Sequence, residues 1–224
     1  MEGLRMGPAG STERDREELA AFLMRLRSSR IVEPRLLQAV EAVPRRHFVR
    51  AGIANPYSDA ALPIDCGETM PGAFFAVCLV NDLKVEPTSR ILEIGTGSGY
   101  VTALLARCGG RVTSLDRYQT LLAKAGERLK QLGLPGVQFV QEDGRDGYRD
   151  AAPFDRIVIH AAFETLPRSF LEQLAQHGSI ICALGPGQGQ QTLVRLQKVG
   201  SRLEREDLRP VRYQPLAHGV ARKL

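Results

Sequence analysis

The chain has 224 residues, 43% of them hydrophobic, with 30 Lys and Arg against 25 Asp and Glu, a net charge of +5 and a pI of about 9.2. This length and composition suit one sizeable globular domain with an appendage, and no apolar run approaches the ~18–20 residues that cross a bilayer. The first twenty residues are charged and hold no apolar leader segment, so a cytoplasmic location and no membrane partner are expected. The basic excess is spread along the chain and is densest at Pro44-Arg45-Arg46-His47. Trp is absent and no aromatic-interleaved basic stretch occurs, whereas a nucleic-acid footprint needs a patch or stripe. The four cysteines (Cys66, Cys78, Cys108, Cys182) and four histidines (His47, His160, His177, His218) share no ligand spacing. No metal site or disulfide framework is expected, and the thiols read as reduced and buried.

Residues 1–14 are rich in Gly, Pro and charge and read as a disordered tail. Leu19, Phe22, Leu23 and Leu26 recur at helical spacing and predict a helix over Glu17–Ser28. A second helix is predicted from Pro34, a good first-turn residue, with Leu36, Leu37, Val40 and Val43 on one side, ending before Pro44. Residues 51–70 read as a loop, and Ala73–Leu83 as an apolar helix. Residues 15–84 thus form an N-terminal helical extension, long enough to cover an active site. Residues 85–224 form the ligand-binding domain, with the whole expected to be one compact unit.

The most informative run is Ile91-Leu92-Glu93-Ile94-Gly95-Thr96-Gly97-Ser98-Gly99-Tyr100: a strand, then a glycine turn into a helix over 101–108. Such a turn bends sharply and lets a ligand approach the backbone closely. A dinucleotide fingerprint would place its third glycine at position 100, where Tyr100 stands. Glu93 would repel a pyrophosphate and attract a cation. S-adenosylmethionine carries an ammonium and a sulfonium and no phosphate, so the acid-x-Gly-x-Gly-x-Gly pattern points to that cofactor.

A second strand, Arg111–Asp116, ends in an acid 21 positions after Gly95, the place from which a carboxylate binds ribose hydroxyls. A helix over 118–132 and a third strand over 137–140 follow. Asp143, before Gly144, then stands at a strand end where it can accept from an adenine amino group, and Asp146 reads as a turn acid. A fourth strand, Phe154–Ile159, delivers His160 near the transfer site. A helix over 169–176, a fifth strand over 179–184, a flexible turn at 185–189 and a strand over 191–198 complete the series. The segment 204–209 is polar, and Val211–Tyr213 reads as a final short strand. Alternating strands and helices predict an α/β fold: a doubly wound, mostly parallel sheet with helices on both faces and antiparallel C-terminal edge strands.

At this point the chain resembles a known family, the protein-L-isoaspartate O-methyltransferases, over about residues 30–220. The resemblance rests on Ala42–Val49, on Tyr57-Ser58-Asp59 with Ala61-Leu62-Pro63-Ile64, on Leu92–Tyr100, on Ala152–Asp155 with Ala161-Ala162, and on Val211–Leu216. It implies a Rossmann-like methyltransferase sheet and S-adenosylmethionine as cofactor. The implied cofactor contacts are Thr69, Met70, Glu93, Ile94, Gly95, Thr96, Gly97, Gly99, Tyr100, Asp116, Arg117, Asp143, Gly144 and His160. The implied substrate is an isomerised aspartyl residue of a peptide or damaged protein. The family's substrate loop reads Gly-Gln-Thr-Ile-Ser-Gln-Pro, and here Gly67-Glu68-Thr69-Met70-Pro71-Gly72-Ala73 takes its place. Thr69 is kept as a catalytic candidate. The family serine falls on Pro71, which has no hydroxyl and no N–H.

The implied reaction needs no general base, because a carboxylate with a reference pKa of about 4 is already ionised near neutrality. Tyr57 and Asp59 read as a loop-stabilising pair, and His47, His177 and His218 as structural or surface residues. Three alternatives stay open: methylation of a different carboxylate, motivated by the altered loop; methylation of RNA, motivated by the pI; and a cofactor-binding module without catalysis. The sequence carries no signal of oligomeric state.

Overall fold

The computed structural model describes residues 13–221. Its first helices are α1 (Glu13–Ser28), α2 (Pro34–Ala42) and α3 (Ala73–Leu83). α1 begins at Glu13 rather than Glu17 because its first turn is fixed by charge rather than by apolar spacing. Arg46 pairs there with Asp15 at 2.8 Å and Glu18 at 3.4 Å, and acids favour a helix N-terminus. The tail expected over 1–14 is therefore corrected at Glu13 and Arg14, which are helical; residues 1–12 lie outside the described residues. α2 starts on Pro34, with the Glu33 carboxylate accepting from the Leu36 N–H at 2.6 Å. The stretch expected to be plain loop holds a small antiparallel hairpin, β1 (Leu62–Pro63) with β2 (Thr69–Met70). It closes through Cys66 and Gly67, both left-handed at φ 60° and 74°.

The rest of the chain alternates: β3 (Arg90–Ile94), α4 (Tyr100–Arg107), β4 (Arg111–Asp116), α5 (Gln119–Gln131), β5 (Gln138–Gln141), β6 (Phe154–Phe163), α6 (Arg168–Gln173), β7 (Leu174–Leu184), β8 (Gln191–Val199) and β9 (Arg202–Val211). The sheet order is β5-β4-β3-β6-β7-β8-β9. The first five strands run parallel, and β8 and β9 add the antiparallel edge. From β3 the chain steps out to β4 and β5, then returns to the far side of β3 as β6. That reversal opens a crevice at the carboxyl ends of β3 and β6, where ligands of such sheets bind.

Three elements differ from the sequence expectation. The polar stretch 204–209 lies inside β9, and the short strand expected at Val211–Tyr213 is only its end. β9 is an exposed edge strand, so charge rather than apolar alternation covers it, with Arg195 on Glu206 and Arg205 on Asp207. α6 ends at Gln173 because Leu174 already pairs with Phe154 in the sheet. β6 continues to Phe163 through an irregular stretch between Val158 and Ala162, which contains His160. Such bulges re-aim side chains beside active sites.

Strand alternation divides the core. Ile91, Val112, Val158 and Ile181 face one side, where they join Phe22, Leu26, Val40, Leu79 and Leu104 in a single cluster with the N-terminal helices. Leu92, Ile94, Leu115, Ile157 and Ile159 face the other, packed with Phe154 and with Phe170 of α6. Among the described residues no helix is long and apolar enough to cross a membrane.

Candidate active site

The turn after β3 is built by glycines in conformations that side chains resist. Gly95, Gly97 and Gly99 have φ of 94°, 53° and 84°. At Gly95 a Cβ would come within 3.2 Å of the His160 Cβ, so the missing side chain lets β6 approach the turn. At Gly99 a Cβ would stand 2.8 Å from Ala125 Cβ, so that glycine serves the packing of α4 on α5. The Gly95 and Thr96 N–H groups donate to the Leu115 carbonyl at 2.8 and 3.1 Å, which ties the turn to the end of β4.

The crevice beside this turn holds a cleft of about 150 Å³ that is open to solvent on one side. Of the sequence-predicted residues, Thr69, Ile94, Gly95, Gly97, Asp116, Arg117, Asp143, Gly144 and His160 line it. Glu68 and Glu142 add to the acids, and among the described residues Arg117 is the one Lys or Arg in the lining. Asp116 accepts from the Gly97 N–H at 2.9 Å and the Tyr118 N–H at 3.0 Å. Burial pushes its carboxyl above the ordinary carboxylate range, and those two bonds pull it partly back. Asp143 caps a short turn by accepting from the Arg145 N–H at 3.1 Å, and accepts from the Gly219 N–H at 2.7 Å. The arrangement offers acceptors to hydroxyls and cations and little to a phosphate.

Two expected contacts line neither this cleft nor the smaller cavity beside it. Gly99 is turned toward α5, as above. Glu93 is fully buried, because β3 alternation places it on the helix-facing side with Ile91. Its Oε2 accepts from Thr102 Oγ1 at 2.5 Å and Ser114 Oγ at 2.7 Å, and its Oε1 lies 3.1 Å from His160 Nε2. Since Ser114 gives its proton to Glu93, Thr96 Oγ1 donates to Ser114 Oγ, at 2.6 Å. Glu93 thus braces the turn from behind.

A second, smaller cavity of about 50 Å³ adjoins the cleft and shares Thr69, Gly95, Gly97 and His160 with it. Met70, Pro71, Thr96 and Tyr100 line this cavity and not the cleft. Tyr100 is a correction of the same kind: its ring packs edge-on against Phe48 and beneath the Arg45 guanidinium, 4.6 Å from the ring centre. Tyr100 Oη and His160 Nδ1 are buried and have no hydrogen-bond partner among the described residues.

The loop that carries Thr69 and Pro71 is pinned by arginines. Arg45, fully buried, donates to the Pro56 carbonyl at 2.7 Å and to the Pro71 carbonyl. Burial lowers its pKa from the ordinary guanidinium value. Arg46 is engaged by Asp15 and Glu18, so the densest basic run of the sequence turns inward instead of forming a patch. Arg25 holds Asp59 through two bonds of 3.0 Å, and Tyr57 stacks 5.0 Å from Phe22. Both act as loop braces outside the cleft.

Sequence reading missed the roof. The segment 214–217 lines the cleft, held by the Ala162 N–H donating to the Gln214 carbonyl at 2.9 Å and by Arg145 donating to the Leu216 carbonyl at 2.7 Å. It carries no periodic pattern; Val211–Leu216 was read only as part of the resemblance and not as part of the site. The four cysteines are free, and no cluster of His, Cys, Asp and Glu able to hold a metal ion occurs among the described residues.

A parallel sheet with this strand order, a glycine turn after β3 and an acid closing β4 defines a Rossmann-like methyltransferase fold. The family model for protein-L-isoaspartate(D-aspartate) O-methyltransferase matches residues 17–221, and the chain belongs to that family. Among relatives, the protein-L-isoaspartate O-methyltransferase of Parvibaculum lavamentivorans is 38% identical over 97% of this chain and 100% of its own length. That of Rhizobium meliloti is 41% identical over 88% of this chain and 98% of its own. Two of the solved structures that share the fold are protein-L-isoaspartate O-methyltransferases by name. One is a Plasmodium falciparum protein assigned as a protein-L-isoaspartate O-methyltransferase, in complex with S-adenosyl-L-homocysteine. It has a TM-score of 0.76 and 20% identity, covering 88% of this chain and 97% of that one. The other is a protein-L-isoaspartate O-methyltransferase with a TM-score of 0.80 and 21% identity, covering 90% of this chain and 67% of that one.

Proposed function

We infer that the protein is an S-adenosylmethionine-dependent carboxyl O-methyltransferase that methylates L-isoaspartyl residues of peptides or damaged proteins. One observation carries this reading: a chain matching the family over residues 17–221 keeps an acid-lined cleft, with a single Lys or Arg in its lining among the described residues, at the switch point of its sheet. The residues present fit the cofactor. Asp116, with one N–H already on each oxygen, keeps lone pairs for ribose hydroxyls. Asp143 and the backbone around Gly144 would hold the adenine ring. The turn over 95–97 and the end of β6 would hold the amino-acid end, and Arg117 would flank the nucleoside. When bound, the cofactor supplies an electrophilic methyl group on a sulfonium.

The protein's own contribution is positioning. The roof over 214–217 and the loop over 67–73 narrow access to the cleft and shed water from it. The loop holds the peptide and Thr69 offers a hydroxyl at the border of cleft and cavity. No side chain has to remove a proton, because the attacking carboxylate is ionised near neutral pH, its reference pKa being about 4. Correct alignment of two bound reactants is worth ~7–11 kcal/mol at best. The product is a methyl ester, which closes to a succinimide by attack of the neighbouring backbone nitrogen with loss of methanol. Four free cysteines, three of them buried, suit a reducing compartment, and we place the protein in the cytoplasm.

The test is mass spectrometry of an isoaspartyl peptide after incubation with enzyme and S-adenosylmethionine. Gain of one methyl group, removed by mild base, is expected. Cofactor binding without any methylated peptide contradicts the reading.

A further inference from the structure

We propose that His160 binds the reacting carboxylate of the substrate through Nδ1. This rests on the carboxyl-methyltransferase reading above and extends it to one residue. Methyl transfer requires the substrate carboxylate to sit where the cofactor cleft meets the substrate loop. Four residues line both the cleft and the small cavity beside the loop: Thr69, Gly95, Gly97 and His160. Only Thr69 and His160 bring polar side chains, and Thr69 is exposed while the His160 side chain is 12% exposed. On the loop side of the cavity, Pro71 offers neither a hydroxyl nor an N–H.

The ring of His160 is already set for one further bond. Glu93 Oε1 lies 3.1 Å from Nε2, and Oε2 is taken by Thr102 and Ser114. An ionised carboxylate only accepts, so Nε2 carries its proton toward Glu93. That leaves Nδ1, buried and without a partner. A buried polar atom left unpaired carries a desolvation penalty that a ligand in the cavity removes. The cavity, about 50 Å³, is the size of a small group rather than a peptide. A carboxylate oxygen there needs a donor, so substrate binding calls for the doubly protonated ring. Among the described residues, the charged groups that face the ring or line the cleft beside it are Glu93 from β3, Asp116 at the end of β4 and Arg117 after it, Glu142 and Asp143 after β5, and Glu68 before β2. Acids outnumber guanidinium groups among them, so a proton on the ring adds the scarcer sign of charge.

The test compares steady-state methylation of an isoaspartyl peptide by wild type, His160→Gln, His160→Asn, Pro71→Ser and the double variant H160Q/P71S. Cofactor affinity by calorimetry and a thermal melt accompany each. Gln imitates Nε2 and keeps the bond to Glu93 while losing the Nδ1 donor. Asn imitates Nδ1 as a donor that does not titrate. The expected result is a fall in kcat/KM of about ten- to a hundredfold for H160Q, the loss of one bond to a charged acceptor, through KM for peptide and not through cofactor affinity. H160N retains more activity than H160Q. Pro71→Ser recovers more in the H160Q background than it adds to wild type, because the new hydroxyl reaches the same cavity. Wild-type activity with H160Q unchanged, or H160Q losing cofactor affinity while peptide KM holds, overturns the inference and leaves the proposed function standing. Equal increments from Pro71→Ser in both backgrounds overturn it as well. Absence of transfer by wild type contradicts the functional reading itself, and the inference with it.

Discussion

The turn over 95–99 and the loop over 67–73 face each other across one site, yet they are held in different ways. The turn is fixed locally: three glycines with positive φ, backbone bonds to Leu115, and Glu93 behind it with Thr102 and Ser114. The loop is fixed from a distance, by Arg45 on the Pro56 and Pro71 carbonyls and by Lys124 on Asp65 at 2.8 Å. Under the proposed function, a cofactor common to a whole fold class would meet the local device. A substrate that varies would meet the remote one, which can change without disturbing the sheet. The two sides should therefore fail differently when broken.

The largest effect is expected at Gly99→Ala. Left-handed backbone costs a side chain ~1–2 kcal/mol, and the 2.8 Å approach to Ala125 adds an overpacking cost of ~1–3 kcal/mol. Gly67 has φ 74° but nothing within 4 Å, so Gly67→Ala should lose only the first of these. Thermal or urea melts of the two variants compare the turn with the loop directly; equal losses would contradict the contrast.

Next comes Arg45→Met, which keeps bulk but leaves two loop carbonyls unpaired, a loss of about 2–4 kcal/mol in stability. KM for peptide should rise while cofactor affinity, measured by calorimetry, stays near wild type. A variant that loses cofactor first would place Arg45 on the wrong side of the site.

Asp116→Asn should weaken cofactor binding about ten- to a hundredfold, since an amide replaces a charged acceptor, and leave the preference among peptides intact. The wild type carries a pH signature here. Burial raises the Asp116 carboxyl above its ordinary value, so it takes up a proton at milder acidity than an exposed carboxylate. Cofactor affinity should then decline as pH falls, starting above the usual carboxylate range near pH ~4. The Asn variant should be weaker throughout and flatter; a wild-type affinity independent of pH down to that range would remove Asp116 from the contact set.

The smallest effect belongs to Asp59→Ala. Its pair with Arg25 is exposed on both sides, and such pairs contribute about 0–1 kcal/mol. A melt shift beyond that range would mean that the loop depends on this brace more than its exposure implies.

The same division governs what the sequence disclosed. Asp116 and the glycine turn were legible because their chemistry is local: spacing alone sets a strand end and a turn. Glu93 was legible as an acid beside the turn; its burial behind the turn, where strand alternation with Ile91 puts it under α4, was not read. Arg45 looked like surface charge because nothing nearby in sequence shows the Pro56 and Pro71 carbonyls that it satisfies. The roof over 214–217 and the edge strand β9 were hidden for a related reason. One is held by bonds to Ala162 and Arg145, the other is a charged strand with a wet face, and neither leaves an apolar period to read.

The most direct test is transfer of labelled methyl from S-adenosylmethionine to a short isoaspartyl peptide beside its normal aspartyl twin. Base-labile label on the isoaspartyl peptide, with little on the twin, is the expected result. Label on neither peptide, in a sample shown to bind the cofactor, or equal label on both, would contradict the assignment of this site to isoaspartyl repair.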